Sequence, residues 1–286
     1  MLDPDYVRRH APTAPPVPVV FDSPHSGTSY PDDFRPIAPM GVLRMAEDTY
    51  VEELYGAAPR FGATLIEARF PRSYIDPNRS LEDLDPGLID GAWPGPVTPG
   101  EKTRLGLGLI WRLAQPGMPI YDRKLSVAEV QDRIERCYRP YHVTVNAVLG
   151  DLHGRFGAVW HVNCHSMKPV GNAMSPDSGK ARADFVLGDR DGTTCEGEFT
   201  TFVARILEGQ GYAVAINDPY KGVELVRRYG RPAENRHSLQ IEINRRLYMH
   251  QDTLAKSDGF ERLRGHLTEL SAAICDFART RAARGG

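Results

Sequence analysis

The sequence lacks the features that mark membrane proteins, disulfide-rich secreted proteins and nucleic-acid-binding proteins. No apolar run approaches the roughly 20 residues that a bilayer span needs, and the first ten residues, M-L-D-P-D-Y-V-R-R-H, lack the apolar core of a signal peptide. The formal net charge of −2 provides no basic surface for nucleic acid or membranes. Four cysteines without C-x-x-C spacing argue against a disulfide framework or a cysteine zinc site. We therefore expect a cytoplasmic protein.

Internal repeats and a domain linker are also absent from the sequence. The apolar content of 41% and the charged content of 25% are ordinary for a globular protein. Short apolar runs alternate with segments of helical period, which predicts one α/β domain over residues 1–286. The predicted strands are 19–21, 63–68, 158–168, 184–187, 213–216 and 238–247. The predicted helices are 43–58, 126–152 with a kink at Pro140, 199–209 and 260–277. The Pro/Gly-rich segment 85–119 is interpreted as a lid.

The predicted strand 158–168, A-V-W-H-V-N-C-H-S-M-K, carries an unusual row of polar residues. Side chains alternate between the faces of a strand, so His161, Asn163 and His165 share one face and apolar residues share the other. A central strand of an α/β sheet is usually apolar on both faces. A single histidine in such a strand is most simply explained as a core residue whose ring is hydrogen-bonded within the protein. A row of polar residues instead indicates a functional site.

The last predicted strand repeats this pattern with a carboxylate. Gln240, Glu242 and Asn244 share one face of S-L-Q-I-E-I-N-R-R-L, and the other face is apolar. A carboxylate on an inward face must be paired, bound to a metal or shifted in pKa. We therefore expect Glu242 to belong to the same site, as a wall that faces strand 158–168.

Candidate metal ligands occur at strand ends and near a helix start. His25 lies in the turn D-S-P-H-S-G, directly after the strand 19–21, at the sheet edge where open α/β folds bind ligands. Asp48 or Glu47 could turn towards this loop, and His165 ends its strand. Two histidines and one carboxylate, with a fourth position for water, form a usual catalytic zinc site. These residues are far apart in sequence and no H-E-x-x-H motif occurs, so spacing alone does not establish the site.

The segment 69–79 mixes arginines, a tyrosine and an asparagine with two prolines, which predicts an ordered loop rather than a linker. Guanidinium groups match carboxylates in geometry, so Arg72, Asn78 and Arg79 are candidates for holding a substrate carboxylate or a developing oxyanion. Ordinary surface arginines are the alternative explanation.

Seven segments in the right order resemble the N-formylglutamate amidohydrolase (N-formylglutamate deformylase) family. They are D-S-P-H-S-G at 22–27, E-D-T-Y-V-E-E-L-Y at 47–55, Y-I-D-P-N-R at 74–79, H-V-N-C-H-S-M at 161–167, D-F-V-L-G-D at 184–189, N-D-P-Y-K-G at 217–222 and L-Q-I-E-I-N-R-R-L-Y-M at 239–249. The resemblance implies a three-layer α/β/α sandwich around a mixed, mostly parallel sheet, related to zinc carboxypeptidases and aminoacylases.

The resemblance also implies a ligand set. Its relatives bind zinc through a His, a carboxylate and a second His in that chain order, which corresponds to His25, Asp48 and His165. We therefore expect one Zn²⁺, or another divalent metal, per chain. The H-x-x-E spacing of carboxypeptidases is absent here, so Glu47 and Glu52 remain alternatives to Asp48.

The implied activity is hydrolysis of a small N-acyl amino acid, most simply N-formyl-L-glutamate to formate and L-glutamate in histidine degradation. Glu242 is then the general base and Arg72 a second catalytic residue. Asn78, Arg79 and Arg245 are expected to hold the substrate carboxylates. His161 is predicted to contact the substrate or to support His165. A purely structural role is a further alternative for His161 and also for His237.

Two other functions remain open at this stage. A peptidase or cell-wall amidase could use the same scaffold, although no secretion signal is present. A catalytically inactive sensor could keep the fold, although the joint presence of His25, His165 and Glu242 argues against it. The sequence leaves the oligomeric state open.

Overall fold

The fold is that of a computed structural model, which describes residues 6–283. Within this range the strands are β1 (Val7–His10), β2 (Val19–Ser23), β3 (Thr64–Ala68), β4 (Ile89–Asp90), β5 (Leu113–Gln115), β6 (Met118–Pro119), β7 (Leu125–Ser126), β8 (Val159–Met167), β9 (Phe185–Gly188), β10 (Val214–Ile216) and β11 (Arg236–Asn244). The α-helices are α1 (Met40–Arg44), α2 (Val51–Leu54), α3 (Glu101–Arg104), α4 (Val127–Arg133), α5 (Arg139–Phe156), α6 (Gly197–Gly209), α7 (Glu224–Tyr229) and α8 (Phe260–Ala282).

Contacts group these residues into two compact units. The smaller unit consists of residues 6–8, Pro24–Glu47 and Ala68–Thr144, and the larger of Arg9–Ser23, Asp48–Glu67 and residues 145–283. The predicted single domain over residues 1–286 stays a prediction.

The larger unit is built on a seven-stranded sheet with the order β1-β3-β2-β8-β11-β9-β10. Strand β2 pairs in parallel with β3 and β8, and β8 pairs in parallel with β11. Strand β9 is antiparallel to β11 and parallel to β10. The sheet is therefore mixed and mostly parallel.

One face of this sheet is the apolar core. The alternate residues Trp160, Val162 and Cys164 of β8 and Leu239 and Ile241 of β11 join one buried cluster with α2, α6 and α8. Helix α7 packs against β8 and β11, and Tyr229 of α7 meets the His161 ring edge-on, so α7 lies on the opposite face. Helices on both faces confirm the predicted α/β/α fold.

The smaller unit has little regular structure and depends on side-chain contacts. Arg133 is fully buried there, bonds the carbonyl of Tyr74 and the hydroxyl of Tyr121, and lies over the Tyr74 ring. The predicted lid segment contributes helix α3 and the hairpin β5–β6, and Trp111 within it is buried. Its role as a lid stays a prediction.

Two predicted helices differ from the structure. The predicted helix 43–58 is wrong: α1 ends at Arg44 and α2 begins at Val51, because Tyr50 takes a left-handed backbone conformation with a φ of 68°. The predicted helix 126–152 is interrupted, near the expected kink, by a π-helical segment at Ile134–Tyr138. Pro140 lacks the N–H that would continue the regular bonding pattern.

Two further findings concern the cysteines and the lengths of the helices. The four cysteines, Cys137, Cys164, Cys195 and Cys275, are buried and free. Within the part of the chain that the structure describes, no helix is both long and apolar enough to cross a membrane.

We expect Ile241→Ala to lower the free energy of unfolding by about 2–5 kcal/mol, because it opens a cavity in the fully buried face of β11. Val143 is the control, since it is 61% exposed on α5, and Val143→Ala should change stability by less than about 0.5 kcal/mol. Urea unfolding followed by circular dichroism measures both. Equal midpoints for the two variants would contradict this assignment of the core.

Candidate metal centre and active site

A chain of buried hydrogen bonds runs across the polar face of the central strands. Asp22 is the last but one residue of β2 and is fully buried, and its Oδ1 accepts a bond of 2.9 Å from Nε2 of His161. The other ring nitrogen, Nδ1 of His161, lies 2.7 Å from the hydroxyl of Ser238 on β11. Both ring nitrogens of His161 have buried protein partners, so these contacts favour a supporting role over substrate contact. The role of His161 stays a prediction.

The same carboxylate fixes the orientation of Asn163, and through it that of His165. A carboxylate oxygen only accepts, so Oδ1 of Asp22 must take the amide hydrogen of Asn163, at 2.8 Å. The amide oxygen of Asn163 then faces Nε2 of His165 at 2.8 Å and accepts a hydrogen bond from the N–H at that nitrogen. In neutral His165 the lone pair therefore lies on Nδ1, the nitrogen that a metal would use.

Nδ1 of His165 points at a carboxylate. Oδ2 of Asp48 lies 3.0 Å from this nitrogen, and both residues are buried. Two lone pairs at that distance require a proton or a cation between them. Arg245 donates from Nη2 to Oδ1 of Asp48 at 3.1 Å and from Nε to the hydroxyl of Ser166 at 3.0 Å. These contacts make Arg245 a residue that positions Asp48, and its predicted role towards substrate stays a prediction.

In the smaller unit, Asp76 plays the corresponding part for His25. Nε2 of His25 donates to Oδ1 of Asp76 at 2.7 Å, which leaves the lone pair of a neutral ring on Nδ1. The backbone N–H of Asn78 donates to the same oxygen at 2.9 Å, and Nη2 of Arg72 donates to Oδ2 at 2.9 Å. Nε1 of Trp111 also lies 3.3 Å from Oδ2.

The charge of Asp76 is stabilised by its cationic neighbours. Burial alone would raise the pKa of this carboxyl group, but Arg72, His25 and Arg79 outweigh burial and hold the pKa well below its usual range. Asp76 is therefore ionised and acts as an acceptor that orients the His25 ring.

The three predicted metal ligands come together. One ring nitrogen each from His25 and His165 and one carboxylate oxygen of Asp48 lie within 4.8 Å of one another, and all three residues are buried. Two imidazole nitrogens and one carboxylate oxygen suit a divalent metal such as zinc. Among residues 6–283 this cluster includes neither of the alternatives, Glu47 and Glu52. Glu47 instead accepts a bond from the hydroxyl of Tyr30 at 2.8 Å.

Glu242 lies at the level of His165 in the sheet. The two residues are register partners in the parallel pair of β8 and β11, as are Asn163 and Gln240. Nε2 of Gln240 donates to Oε1 of Glu242 at 3.1 Å, and Glu242 is 9% exposed. The expectation that β11 forms a wall facing β8 is wrong, because the two strands are neighbours and their polar residues share one surface.

The remaining predicted residues are held by protein contacts. Besides its bonds to Asp76, the Arg72 guanidinium lies 5.0 Å from the ring centroid of Trp111. Arg79 is 7% exposed and donates from Nε to the carbonyl of Leu107 and from Nη1 to the carbonyl of Asn78. Asn78 is buried beside them. The substrate-binding roles of Asn78 and Arg79 stay predictions.

Asp22, Asp76 and Asn163 were not assigned roles from the sequence. A signal for Asp76 was present, because an aspartate two residues before an amide N–H commonly accepts that N–H, as Asp76 does from Asn78. Asp22 is the last but one residue of a buried strand, where a charged side chain needs a partner. Which partner it has depends on the pairing of β2 with β8, which the sequence does not specify.

Two imidazoles and one carboxylate are a donor set typical of hydrolases that use a divalent metal. Comparisons with known proteins agree with the fold. The family model for N-formylglutamate amidohydrolase matches residues 17–249. The chain belongs to the N-formylglutamate amidohydrolase family. This confirms the family predicted from the seven sequence segments.

Similar proteins share nearly the whole length of the chain. An N-formylglutamate deformylase of Pseudomonas putida is 27% identical over 82% of this chain and 83% of its own length. An N-formylglutamate deformylase of Pseudomonas aeruginosa is 25% identical over 93% of this chain and 95% of its own length. The crystal structure of an N-formylglutamate amidohydrolase from Ralstonia eutropha JMP134 is also similar, with a TM-score of 0.92. Its sequence is 52% identical to this one, and the match covers 96% of this chain and 99% of the Ralstonia chain.

We expect Asn163→Ala to weaken divalent-metal binding about 10- to 100-fold, because His165 loses the acceptor that orients its ring. Thr200→Val is the control, since it removes a buried hydrogen bond to Asp189 on another part of the larger unit. Competition with a chromophoric chelator measures the metal dissociation constant of both variants. Wild-type affinity in Asn163→Ala would contradict the orienting role.

Proposed function

We propose that this protein is an N-formylglutamate amidohydrolase that hydrolyses N-formyl-L-glutamate to formate and L-glutamate. The observation that carries the proposal is the buried cluster of His25, Asp48 and His165 in a chain that belongs to this family. The names of the similar Pseudomonas and Ralstonia proteins support the same substrate. A place in histidine degradation and a cytoplasmic location remain predictions.

His25, Asp48 and His165 would hold one divalent ion, for which zinc suits the donor set. When bound, such an ion supplies positive charge that polarises the formyl carbonyl and makes water more acidic. The protein's own contribution is orientation. Asp76 fixes the ring of His25, Asn163 fixes that of His165, and Arg245 fixes the carboxylate of Asp48.

Glu242 is proposed as the general base and acid. Its carboxylate takes a proton from the water whose oxygen attacks the formyl carbon, and then gives a proton to the glutamate nitrogen as the C–N bond breaks. The hydrogen bond from Gln240 holds one carboxylate oxygen in place. Its position level with His165 in the sheet supports this role.

Arg72 is proposed to stabilise the developing oxyanion, and Arg79 with Asn78 to hold the α-carboxylate. A guanidinium fork binds a carboxylate through two parallel bonds, which also sets its orientation. The contacts of Arg72 with Asp76 and Trp111 hold its guanidinium in a defined position, which is the property that an oxyanion donor needs.

We expect Glu242→Gln to lower kcat for formate release from N-formyl-L-glutamate by about 10²–10⁴-fold, because the amide cannot take the proton of water. Glu234→Gln is the matched control on an exposed side chain and should keep wild-type activity. Formate is measured by coupling to formate dehydrogenase. Wild-type activity in metal-loaded Glu242→Gln would refute the role of Glu242.

We expect a strong chelator to abolish formate release and stoichiometric zinc or another divalent ion to restore it. Elemental analysis should find one ion per chain in the active protein, and His165→Ala should neither retain the ion nor regain activity. Full activity in chelated protein that holds no metal would show that the reaction needs none. A panel of short peptides tested beside N-formyl-L-glutamate separates this activity from that of a peptidase.

A further inference from the structure

The loop at residues 74–79 carries Asp76, whose carboxylate orients the ring of His25. All residues of this loop are buried, although they lie outside the strands and helices. Buried backbone carbonyls without a partner in a strand or helix need other donors. In this loop the donors are side chains from α4, α5 and the π-helical segment between them. Arg133 bonds the carbonyl of Tyr74 at 3.0 Å, Tyr138 that of Arg79 at 2.8 Å and His142 that of Pro77 at 2.9 Å.

The bond from His142 holds one peptide group of the loop. A carbonyl oxygen only accepts, so Nε2 of His142 carries the hydrogen in its bond to Pro77. The carbonyl of Pro77 and the N–H of Asn78 belong to one planar peptide group, so a fixed carbonyl also fixes the direction of the N–H. That N–H donates to Oδ1 of Asp76 at 2.9 Å, and the same oxygen accepts from Nε2 of His25 at 2.7 Å. A series of three hydrogen bonds therefore connects His142 with His25.

Tyr138 packs against His142 and holds the next part of the loop. The two ring centroids are 4.2 Å apart, and both residues are buried. The hydroxyl of Tyr138 donates to the carbonyl of Arg79, and the backbone N–H of Arg79 bonds the carbonyl of Asp76 at 3.2 Å. The backbone on both sides of Asn78 is therefore held by two buried side chains of the helical segment.

The π-helical segment at Ile134–Tyr138 explains how one helical segment contacts the loop at several points. The N–H of Arg139 bonds a carbonyl five residues earlier instead of four. In an α-helix each residue turns by about 100°, so the side chains of Arg133 and Tyr138, five positions apart, would point about 140° away from each other. A turn with bonds between residues i and i+5 is wider and brings such side chains towards the same side. Arg133, Tyr138 and His142 can therefore all bond one loop.

We propose that His142 is a positioning residue for His25 and that Tyr138 assists it. This inference rests on the metal centre of the proposed function, because its consequence is the direction of Nδ1 of His25. Without the bond from His142, the peptide group before Asn78 can turn, and the carboxylate of Asp76 loses a fixed donor. The acceptor that orients a ligating histidine then varies in position, which weakens metal binding.

Five proteins test the inference: the wild type, His142→Phe, His142→Gln, Tyr138→Phe and Thr144→Val. We expect His142→Phe, which keeps a ring without a donor, to raise the dissociation constant for zinc about 3- to 10-fold. This is less than the loss of a direct partner of a ligand, because the effect passes through a peptide group. His142→Gln places an amide N–H near the position of Nε2 and should restore the wild-type affinity. Tyr138→Phe should also raise the constant, and it tests the inference by itself if His142→Phe does not fold.

Thr144→Val is the matched control, because it removes a buried hydroxyl that bonds a carbonyl inside the same helix, that of Pro140. This variant should bind zinc as the wild type does. Competition with a chromophoric chelator measures all five dissociation constants. Wild-type affinity in both His142→Phe and Tyr138→Phe, or an equal loss in Thr144→Val, would overturn the inference.

A second measurement needs neither metal nor substrate. In metal-free, isotope-labelled protein, the Nε2 proton of His25 should give an NMR signal shifted downfield by the bond to Asp76. We expect this signal to move upfield or to broaden by exchange in His142→Phe and to return in His142→Gln, and an unchanged signal would overturn the inference. A wild type that binds zinc but releases no formate would refute the proposed function, while the proton signal would still decide the role of His142.

Discussion

The orientation of His165 depends on a buried carboxylate that does not touch it. Asp22 can only accept hydrogen bonds, and this one property determines which way the amide of Asn163 faces and therefore which nitrogen of His165 keeps its lone pair. His161 and Ser238 complete the shell around Asp22. An isolated ionised carboxylate in this position would be strongly unfavourable, so the site and the stability of the sheet centre rely on the same bonds.

Both histidines of the candidate metal centre are oriented by a hydrogen bond to a buried acceptor. Each ring has one nitrogen bonded to a buried acceptor, an amide oxygen for His165 and the carboxylate of Asp76 for His25. The acceptors differ in strength. A carboxylate acceptor carries a full negative charge and an amide oxygen only part of one, so His25 is expected to donate more electron density to a metal than His165. The arrangement is preformed, which lowers the conformational cost of binding an ion.

The sequence predicted the sheet well where a local pattern was decisive, and it predicted which three residues form the candidate metal cluster. Strand alternation identified the polar faces of β8 and β11, and the resemblance selected His25, Asp48 and His165 from the other polar residues. The pattern of apolar residues in 43–58 misled, because it predicts one continuous helix, whereas the left-handed backbone at Tyr50 separates α1 from α2. Helix α7 was missed because six residues are too few to show a helical period.

The pairing of the strands in the sheet could not be predicted from local sequence patterns. Nothing in β11 alone indicates that β8 is its neighbour, so the two polar rows were assigned to opposite walls. The partners of Asp22 were hidden for the same reason, since they come from β8. Arg72 is predicted as a catalytic residue and Arg245 as a substrate ligand, but their protein carboxylate partners become visible only with the fold.

The alternation along β8 has a consequence for the way this protein can change. His161, Asn163 and His165 occupy one face, and Trp160, Val162 and Cys164 fill the core on the other. Insertion or deletion of a single residue inside the strand would exchange the two faces, placing imidazoles in the core and a tryptophan among the metal ligands. Length variation among related chains should therefore be confined to the loops outside β8 and β11, whereas substitutions within the strands can accumulate one position at a time.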